Sequence, residues 1–499
     1  MQANAIDHTA EATPIPVGGA AELAFDLSVP LVIDLDHTLL STDTLHEALV
    51  RFLRRKGAHA WRIPGWLVAG KATVKRQLSA ALTEEDVAHF PVVPDLVEFA
   101  EREAARGRPV ILATAADRAV AEKVAARFPF ITDVFASDGQ ANLKGPAKAE
   151  KLTEHFPNGF IYAGDAPADL HIWSRALGAI VVGGSPRLEN RVRGTTDILT
   201  SFRRDGSRLR EAVRSLRLHQ WAKNALVFVP VILGGKFFDP AAWGAALLGF
   251  IAIGLLASAT YVLNDLWDIQ EDRQHWSKKN RPLASGRLSI ASGIGLVAIA
   301  GLLALALAVI LGPGALETLT LYLLVSLSYS FRFKREPIID VLFLATLFSI
   351  RLALGMVVTG AIFSPWLIIF SMFVFLSLSL AKRQTEIIRM IEHGRERTLG
   401  RGYRAGDAPL VLALGVGTMM ATVLIMVLYL IEDAFPTGLY TRPDFLWGFP
   451  VVIFLFLARI WLLCHRGELD DDPVAFAIRD RMSIAYGGIM VALFLAAIV

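Results

Sequence analysis

Two carboxylates stand two residues apart in Asp34-Leu35-Asp36-His37-Thr38, into which the apolar run PLVIDL leads. At that spacing one carboxylate can attack phosphorus while the other gives a proton to the leaving oxygen. The same pair supplies hard oxygen ligands for magnesium, which a crowded anionic transfer needs. Three later stretches offer the remaining parts. Thr114 closes the run RPVILAT, and its hydroxyl can hold a phosphoryl oxygen. Lys144, in Asn-Leu-Lys-Gly, can neutralise charge developing on phosphorus, with Lys148 as the other candidate. Asp165 and Asp169, in Gly-Asp-Ala-Pro-Ala-Asp, form a second acidic pair suited to completing a metal shell. A lone Asp-x-Asp turn is commonplace; these features in this order, each at the end of an apolar run, select phosphoryl chemistry.

A second constellation reads Asn264-Asp265-Leu266-Trp267-Asp268-Ile269-Gln270-Glu271-Asp272-Arg273. Asn264, Asp268 and Asp272 recur every four residues, so one helix would carry them on one face, with Asp265 alongside. Oxygen ligands in that arrangement suit a hard cation such as magnesium. So acidic a cluster beside apolar sequence is unfavourable unless it is metal-bound or hydrated. Lys278, Lys279 and Arg281 follow, then Pro-Leu-Ala-Ser-Gly. Acids for a metal and bases for phosphate oxygens, so close together, describe a magnesium-diphosphate site. Arg351 lies inside an apolar segment, 11 residues past Asp340. An arginine at such depth is costly and usually faces a polar cavity, so Arg351 reads as a functional or substrate contact ahead of a structural role. Asp340 reads equally as a functional residue or as a structural one that caps a helix or pairs with Lys334, and Tyr403 and Asp407 read as solvated loop residues.

The elements that position these residues change character near residue 215. Before it, PLVIDL, RPVILATAA and GFIYAGD are buried-strand patterns, with helix-like stretches such as Leu45–Lys56 and Asp95–Arg106 between them. That alternation predicts a parallel sheet covered by helices, with functional residues at the carboxyl ends of the strands. After residue 215 the chain offers nine apolar segments, roughly 221–236, 242–263, 291–311, 315–331, 338–359, 364–381, 408–430, 446–464 and 482–499. Most approach the length of about 20 residues that a helix needs to cross a bilayer.

Composition agrees. Hydrophobic residues are 54% and charged residues only 19% of the 499, and mean hydropathy is +0.47, so much of the chain faces lipid. The net charge of +3 and the lack of basic-aromatic runs argue against nucleic acid as a partner. A single cysteine, Cys464, rules out a disulfide framework. Residues 1–27 lack the basic start and apolar run of a secretory signal and read as a disordered tail. Eighteen Lys/Arg fall in the loops after segments two, four, six and eight, against Lys236 and Arg442 in the opposite loops. By the positive-inside rule the basic loops, both acidic constellations and the N-terminal domain share the cytoplasmic side of a bacterial-type plasma membrane, with the C-terminus outside.

Residues 28–200 resemble the haloacid-dehalogenase-like phosphohydrolases, on the Asp34/Asp36, Thr114, Lys144 and Asp165/Asp169 motifs. The resemblance implies a Rossmann-like α/β fold with Asp34 as nucleophile and Asp36 as general acid/base. It makes Thr114 and Lys144 phosphate holders, and Asp34, Asp36, Asp165 and Asp169 the magnesium-side acids. Roughly 75 residues separate the first two motifs, room for a small helical cap. After a linker over 201–219, residues 220–499 resemble the UbiA superfamily of intramembrane prenyltransferases, whose first aspartate-rich motif is NDxxDxxxD. That likeness implies an all-α membrane domain with Asn264, Asp265, Asp268 and Asp272 holding a second magnesium. The loop after segment six departs from the aromatic prenyltransferases of the superfamily, being basic where they carry a second aspartate-rich motif.

Gln220-Trp221-Ala222-Lys223-Asn224, Tyr329-Ser330 with Lys334 and Asp340, and Ala381-Lys382-Arg383 are similar to the decaprenyl-phosphate phosphoribosyltransferase branch. That branch moves phosphoribose from phosphoribosyl pyrophosphate to a polyprenyl phosphate. Lys223, Lys278, Arg281, Arg332, Lys334, Arg351, Lys382 and Arg383 are then the candidates that receive the two anionic substrates. The fused phosphohydrolase would remove the phosphate from the lipid-linked product. Two alternatives stand beside this reading: isoprenoid transfer from a prenyl diphosphate to an aromatic or other acceptor, and a non-catalytic lipid-binding or transport protein.

Overall fold

The computed structural model describes residues 23–138, 143–203, 206–394, 396, 401–469 and 473–498. Residues 1–22 of the expected tail lie outside that set, as do Arg395 and Arg397 of the basic loops. Two compact units emerge: residues up to Ser215 together with Val262–Leu296, and Leu216–Tyr261 together with the chain from Val297. The acidic segment is thus grouped with the N-terminal unit, although hydropathy alone assigns it to the apolar half.

In the first unit the apolar runs form a six-stranded parallel sheet among the described residues: β1 (Leu31–Ile33), β2 (Val110–Asp117), β3 (Ile131–Ser137), β4 (Ile161–Gly164), β5 (Gly178–Val182) and β6 (Ile198–Phe202). Their order across the sheet is β3-β2-β1-β4-β5-β6. The runs are continuously apolar because both faces are covered. Leu31 and Ile33 enter one core with Leu112 and Ala163, while Val32 enters the other with Ile111, Ala113 and Tyr162. β1 lies between β2 and β4, so the strand order reverses at its carboxyl end, the place where such sheets open a crevice. Asp34 is the next residue.

Between β1 and β2 lies the small helical cap: α1 (Thr44–Lys56), a 3-10 stretch Gly57–Arg62, α2 (Ile63–Val68) and α3 (Lys71–Ser79). Asp43 caps α1 by accepting from the Leu45 and His46 N–H groups. The following short helix opens on a capping box between Thr83 and Asp86.

Seven helices among the described residues are long and apolar enough to cross a membrane: Pro240–Trp267, Ile290–Leu311, Ile339–Thr359, Pro365–Glu392, Ala405–Thr437, Pro443–His465 and Arg481–Ile498. Sequence reading counts nine, and the difference lies in the two shortest segments. The first folds as a 3-10 stretch, Leu218–Phe228, followed by the short helix Val229–Leu233 with Pro230 in its first turn. The other is the helix Pro313–Phe331, which carries Glu317, two tyrosines and several Ser/Thr and so falls outside the seven.

Candidate active sites

Asp34 is fixed by the sheet itself, its N–H donating to the Ala163 carbonyl of β4 at 3.0 Å. The chain then turns through His37, which holds a left-handed φ of 59°. A non-glycine residue there is strained, and the turn folds the chain back beside Asp34. Opposite Asp34 stands Lys148, not Lys144. The Lys148 Nζ donates to Asp34 Oδ1 at 2.9 Å, to the Tyr162 hydroxyl at 3.0 Å and to the Ala113 carbonyl at 3.2 Å. Lys144 is exposed and lies near enough to Lys75 to act on its charge. The sequence expectation therefore shifts by one helical turn, because Lys148 shares the buried face of the helix Pro146–His155 with Leu152.

Asp34, Asp165 and Asp169 bring carboxylate oxygens within 4.8 Å of one another. Asp169 is held by the N–H groups of Asp165 at 3.2 Å and Ala166 at 3.0 Å, and by the Tyr162 hydroxyl. Burial, reinforced by the Asp34 charge, raises its carboxyl to about 6. Gly164 makes the approach possible, since a Cβ there would stand 2.7 Å from Asp169 Oδ2. An all-oxygen set of three carboxylates fits magnesium.

The Asp36 carboxylate is not in that trio. Its Oδ1 accepts from the Thr44 N–H at 2.7 Å. Burial, then the neighbouring Asp43 and Asp34 charges, pushes it up to about 7, the range wanted of a proton donor. Thr114 is buried where β2 meets the site, and its Oγ1 accepts from the Ala116 N–H at 2.9 Å. Sequence reasoning missed Lys75 of α3, which donates to the Ala115 carbonyl at 2.6 Å. Burial lowers its pKa, and Asp36 and Asp43 act on it from nearby.

The second acidic segment is not one uninterrupted helix. The helix Pro240–Trp267 ends just before Asp268, which sits at φ −97° and ψ 14°, and Ile269–Gln274 resumes beyond it. Backbone hydrogen bonds still bridge the joint, from the Asp268 N–H to Asn264 and from the Asp272 N–H to Asp268, both 2.9 Å. Asp265 and Asp272, two turns apart, are the pair that a cation joins. Arg281 Nη1 donates to Asp265 Oδ1 at 2.9 Å and to Asp272 Oδ2 at 2.6 Å. Burial raises the Asp272 carboxyl, against the pull of Arg281 and Lys278. Asn264 and Asp268 are half-buried beside them. Four oxygen-bearing side chains over two turns are compatible with a hard cation.

The same segment is clamped to the cap of its own unit. Arg273 donates to the fully buried Glu47 of α1, its Nε donates to the Ala284 carbonyl at 3.1 Å, and its guanidinium covers the Phe90 ring at 5.6 Å. Thr42 Oγ1 donates to the same Glu47 at 2.6 Å. Arg54 of α1 donates to the Trp267 carbonyl at 2.8 Å and pairs with Glu271. No motif announced these contacts; a lone glutamate on the amphipathic α1 was the available signal.

In the second unit the buried arginines are engaged by protein partners. Arg351 donates to Asn224 Oδ1 at 2.8 Å and to the Tyr322 hydroxyl at 3.1 Å, with its plane against the Tyr322 and Phe348 rings. Arg383 donates to Asp340 Oδ2 at 2.6 Å and to Glu386. Asp340 also accepts from the Tyr403 hydroxyl at 2.7 Å, so Tyr403 is a buried strut rather than a solvated loop residue. Lys223 lies 5.9 Å over Phe348, Lys334 and Lys382 are half-buried, and Arg332 is exposed.

Comparison with known proteins adds two family matches. Residues 226–485 match the UbiA prenyltransferase family, and residues 31–173 match haloacid dehalogenase-like hydrolase. An uncharacterized protein, y4nM, of Sinorhizobium fredii is 37% identical over 475 residues, covering 95% of this chain and 92% of that one. Nodulation protein NoeC of Azorhizobium caulinodans is 29% identical over 269 residues, 54% of this chain and 87% of its own. A decaprenyl-phosphate phosphoribosyltransferase of Corynebacterium glutamicum is 29% identical over 218 residues, 43% of this chain and 64% of its own.

Proposed function

Because the chain belongs to the UbiA prenyltransferase family and carries a haloacid dehalogenase-like domain ahead of its membrane helices, we propose that it makes and then dephosphorylates a lipid-linked phosphoribose. In the transfer step, the bond between C1 of phosphoribosyl pyrophosphate and the pyrophosphate oxygen breaks. An oxygen of a polyprenyl phosphate forms the new bond to C1. Magnesium held in each domain would supply Lewis-acid stabilisation of the phosphate oxygens.

The observation that carries the reading is Arg281. One of its nitrogens holds Asp265 and Asp272 together, and its Nε and Nη2 make no hydrogen bond to protein among the described residues. A guanidinium so placed can fix two carboxylates and still present N–H groups to a phosphate. Asn264, Asp265, Asp268 and Asp272 are the ligand set, and Lys278 supplies a further cationic group for the anionic substrates. Arg351 and Arg383 support the bundle through their protein partners.

In the second step Asp34 attacks the 5-phosphate, forming an aspartyl phosphate as the phosphorus–ribose oxygen bond breaks. Asp36, held protonated near neutrality, gives its proton to the departing ribose oxygen. Its carboxylate then takes a proton from the water that hydrolyses the aspartyl phosphate. Lys148 balances the charge on Asp34, and Thr114 holds a phosphoryl oxygen. The charge asymmetry of the loops favours both sites on the cytoplasmic side.

The test supplies polyprenyl phosphate, phosphoribosyl pyrophosphate and magnesium to the full chain and follows the lipid by mass. The parent should yield lipid-ribose, and D34N should accumulate lipid-phosphoribose. Identical products from both would refute the two-step reading. Isoprenoid transfer, the activity named for the family, is separated by offering labelled prenyl diphosphate without the ribosyl donor.

A further inference from the structure

The cap carries an apolar surface that phosphoryl chemistry does not use. Around α2 it presents apolar side chains in two directions. Ile63 and Trp66 pack onto the core of the domain, Trp66 meeting Phe52 edge-on at 5.2 Å. Trp61, Leu67 and Val68 point away and are 73%, 63% and 91% exposed. Isolated exposed apolar residues need no explanation. A tryptophan and two large aliphatics within eight residues, at the outer end of a helical hairpin, match instead the composition of a bilayer-interface contact.

Charge selects the occupant. From Ala48 to Thr83 the sequence holds eight Lys/Arg and no Asp or Glu. Arg51, Arg54 and Arg55 are paired with carboxylates of the unit. Lys56, Arg62, Lys71 and Arg76 are exposed around the tip, with Arg62 lying over the Trp61 ring at 5.4 Å. Apolar side chains ringed by bases complement an anionic lipid surface. The described residues also include seven helices fit to cross a membrane, so such a surface is always at hand.

We propose that the Trp61–Val68 tip docks on an anionic bilayer surface and so offers the phosphohydrolase site a phosphate borne on a lipid. The tip is wired to the site by α3. Lys71 opens that helix at the tip, and one turn later Lys75 donates to the Ala115 carbonyl beside Thr114. Those four residues span roughly 6 Å of helix, a reach that suits a phosphate at headgroup depth. The purpose of docking rests on the lipid-linked substrate proposed above; docking itself does not.

The test uses the full chain with C464A in nanodiscs, carrying a fluorophore on V68C or, as control, on the exposed E122C. Lipids bearing a quencher just below the headgroups should quench the label at 68 and spare that at 122, more strongly in discs with anionic lipid. Equal quenching at both positions, or quenching at 68 that requires a second labelled copy, overturns the proposal. Separately, W61S/L67S/V68S should lower hydrolysis of vesicle-borne lipid phosphoribose on the order of tenfold, and leave soluble ribose 5-phosphate within about twofold. An equal fall on both substrates also overturns it. Quenching at 68 without any hydrolysis of the lipid would support docking while refuting the substrate proposed for the site.

Discussion

Replacing Lys148 by methionine removes the cation that, among the described residues, is bonded to Asp34. The side chain is only 3% exposed and Asp34 14%, with 2.9 Å between Nζ and Oδ1. At an effective dielectric constant of about 20, a charge pair at that distance attracts by about 6 kcal/mol before desolvation is counted. Methionine keeps the apolar stem and leaves Asp34 facing Asp165 and Asp169 with no lysine to balance them. Removing one member of a buried pair costs roughly 3–5 kcal/mol, a large part of a domain's usual stability. The assay is hydrogen exchange of the full chain in detergent, read on peptides covering β1 and β4. In chelator, K148M should lose roughly two to three and a half decades of protection there, at about 1.4 kcal/mol per decade. Excess magnesium should restore about 2–3 kcal/mol of this at a hundredfold over its dissociation constant. K144M, altering an exposed lysine, should stay within a few-fold of the parent. Equal protection of K148M and parent in chelator would refute the electrostatic reading of the site.

Further outcomes follow from the same geometry. R273M strands the buried Glu47 and should destabilise the first unit by roughly 3–5 kcal/mol, with the double variant E47Q/R273M recovering at least half in thermal unfolding. R281K keeps the charge but loses the fork; its lipid-linked product should form on the order of tenfold more slowly, with hydrolysis by the N-terminal domain unchanged, as measured by separate product assays. D268N/D272N should reduce transfer at least about a hundredfold in the lipid mass assay. For Asp86, burial raises the carboxyl, but the Thr83 N–H and hydroxyl and Arg51 outweigh it and hold the pKa below the usual carboxylate range. A depressed folded-state value means stability that is complete above the unfolded pKa, about 4, and lost as pH falls through the folded one. The stability gap between parent and D86N in acid titrations should therefore be flat above about pH 5 and shrink below about pH 4.

The strand ends were legible because burial on both faces writes a continuous apolar run, and a parallel sheet puts chemistry where each run stops. Asp34, Thr114, Asp165 and Asp169 were read that way; the three aspartates gather beyond the carboxyl end of β1, whereas β2 runs on to Asp117, three residues past Thr114. Lys148 was harder, because its position depends on where a helix begins. Pro146 opens that helix after Gly145 at φ 55°, leaving Lys144 outside it and turning Lys148 inward with Ala149 and Leu152. The four-residue spacing of Asn264, Asp268 and Asp272 suggested an ideal helix, whereas the helix is interrupted at Asp268 and it is Asp265 that Arg281 joins to Asp272. Contacts between side chains far apart in sequence left no trace in spacing. Glu47 with Arg273, and Asp340 with Arg383 and Tyr403, each join segments more than 40 residues apart.

Both acidic clusters meet one electrostatic difficulty in the same way. Carboxylates gathered tightly enough to hold a dication repel one another and lose hydration, which would raise their pKa values until they bound protons instead. Each cluster therefore contains a basic side chain fixed by geometry, Lys148 on Asp34 and Arg281 on Asp265 and Asp272. The choice of base differs with the task. A lysine delivers a compact charge to a single carboxylate, the one proposed to attack phosphorus, and its remaining donors are taken by Tyr162 and Ala113. An arginine can bridge two carboxylates through one nitrogen and direct the rest of its fork outward. The first arrangement suits a nucleophile that must be held in place, the second a cradle that must also receive a diphosphate. That difference in how the base is held, more than the count of acids, distinguishes the two clusters, and under the proposed function it separates the hydrolytic site from the transfer site.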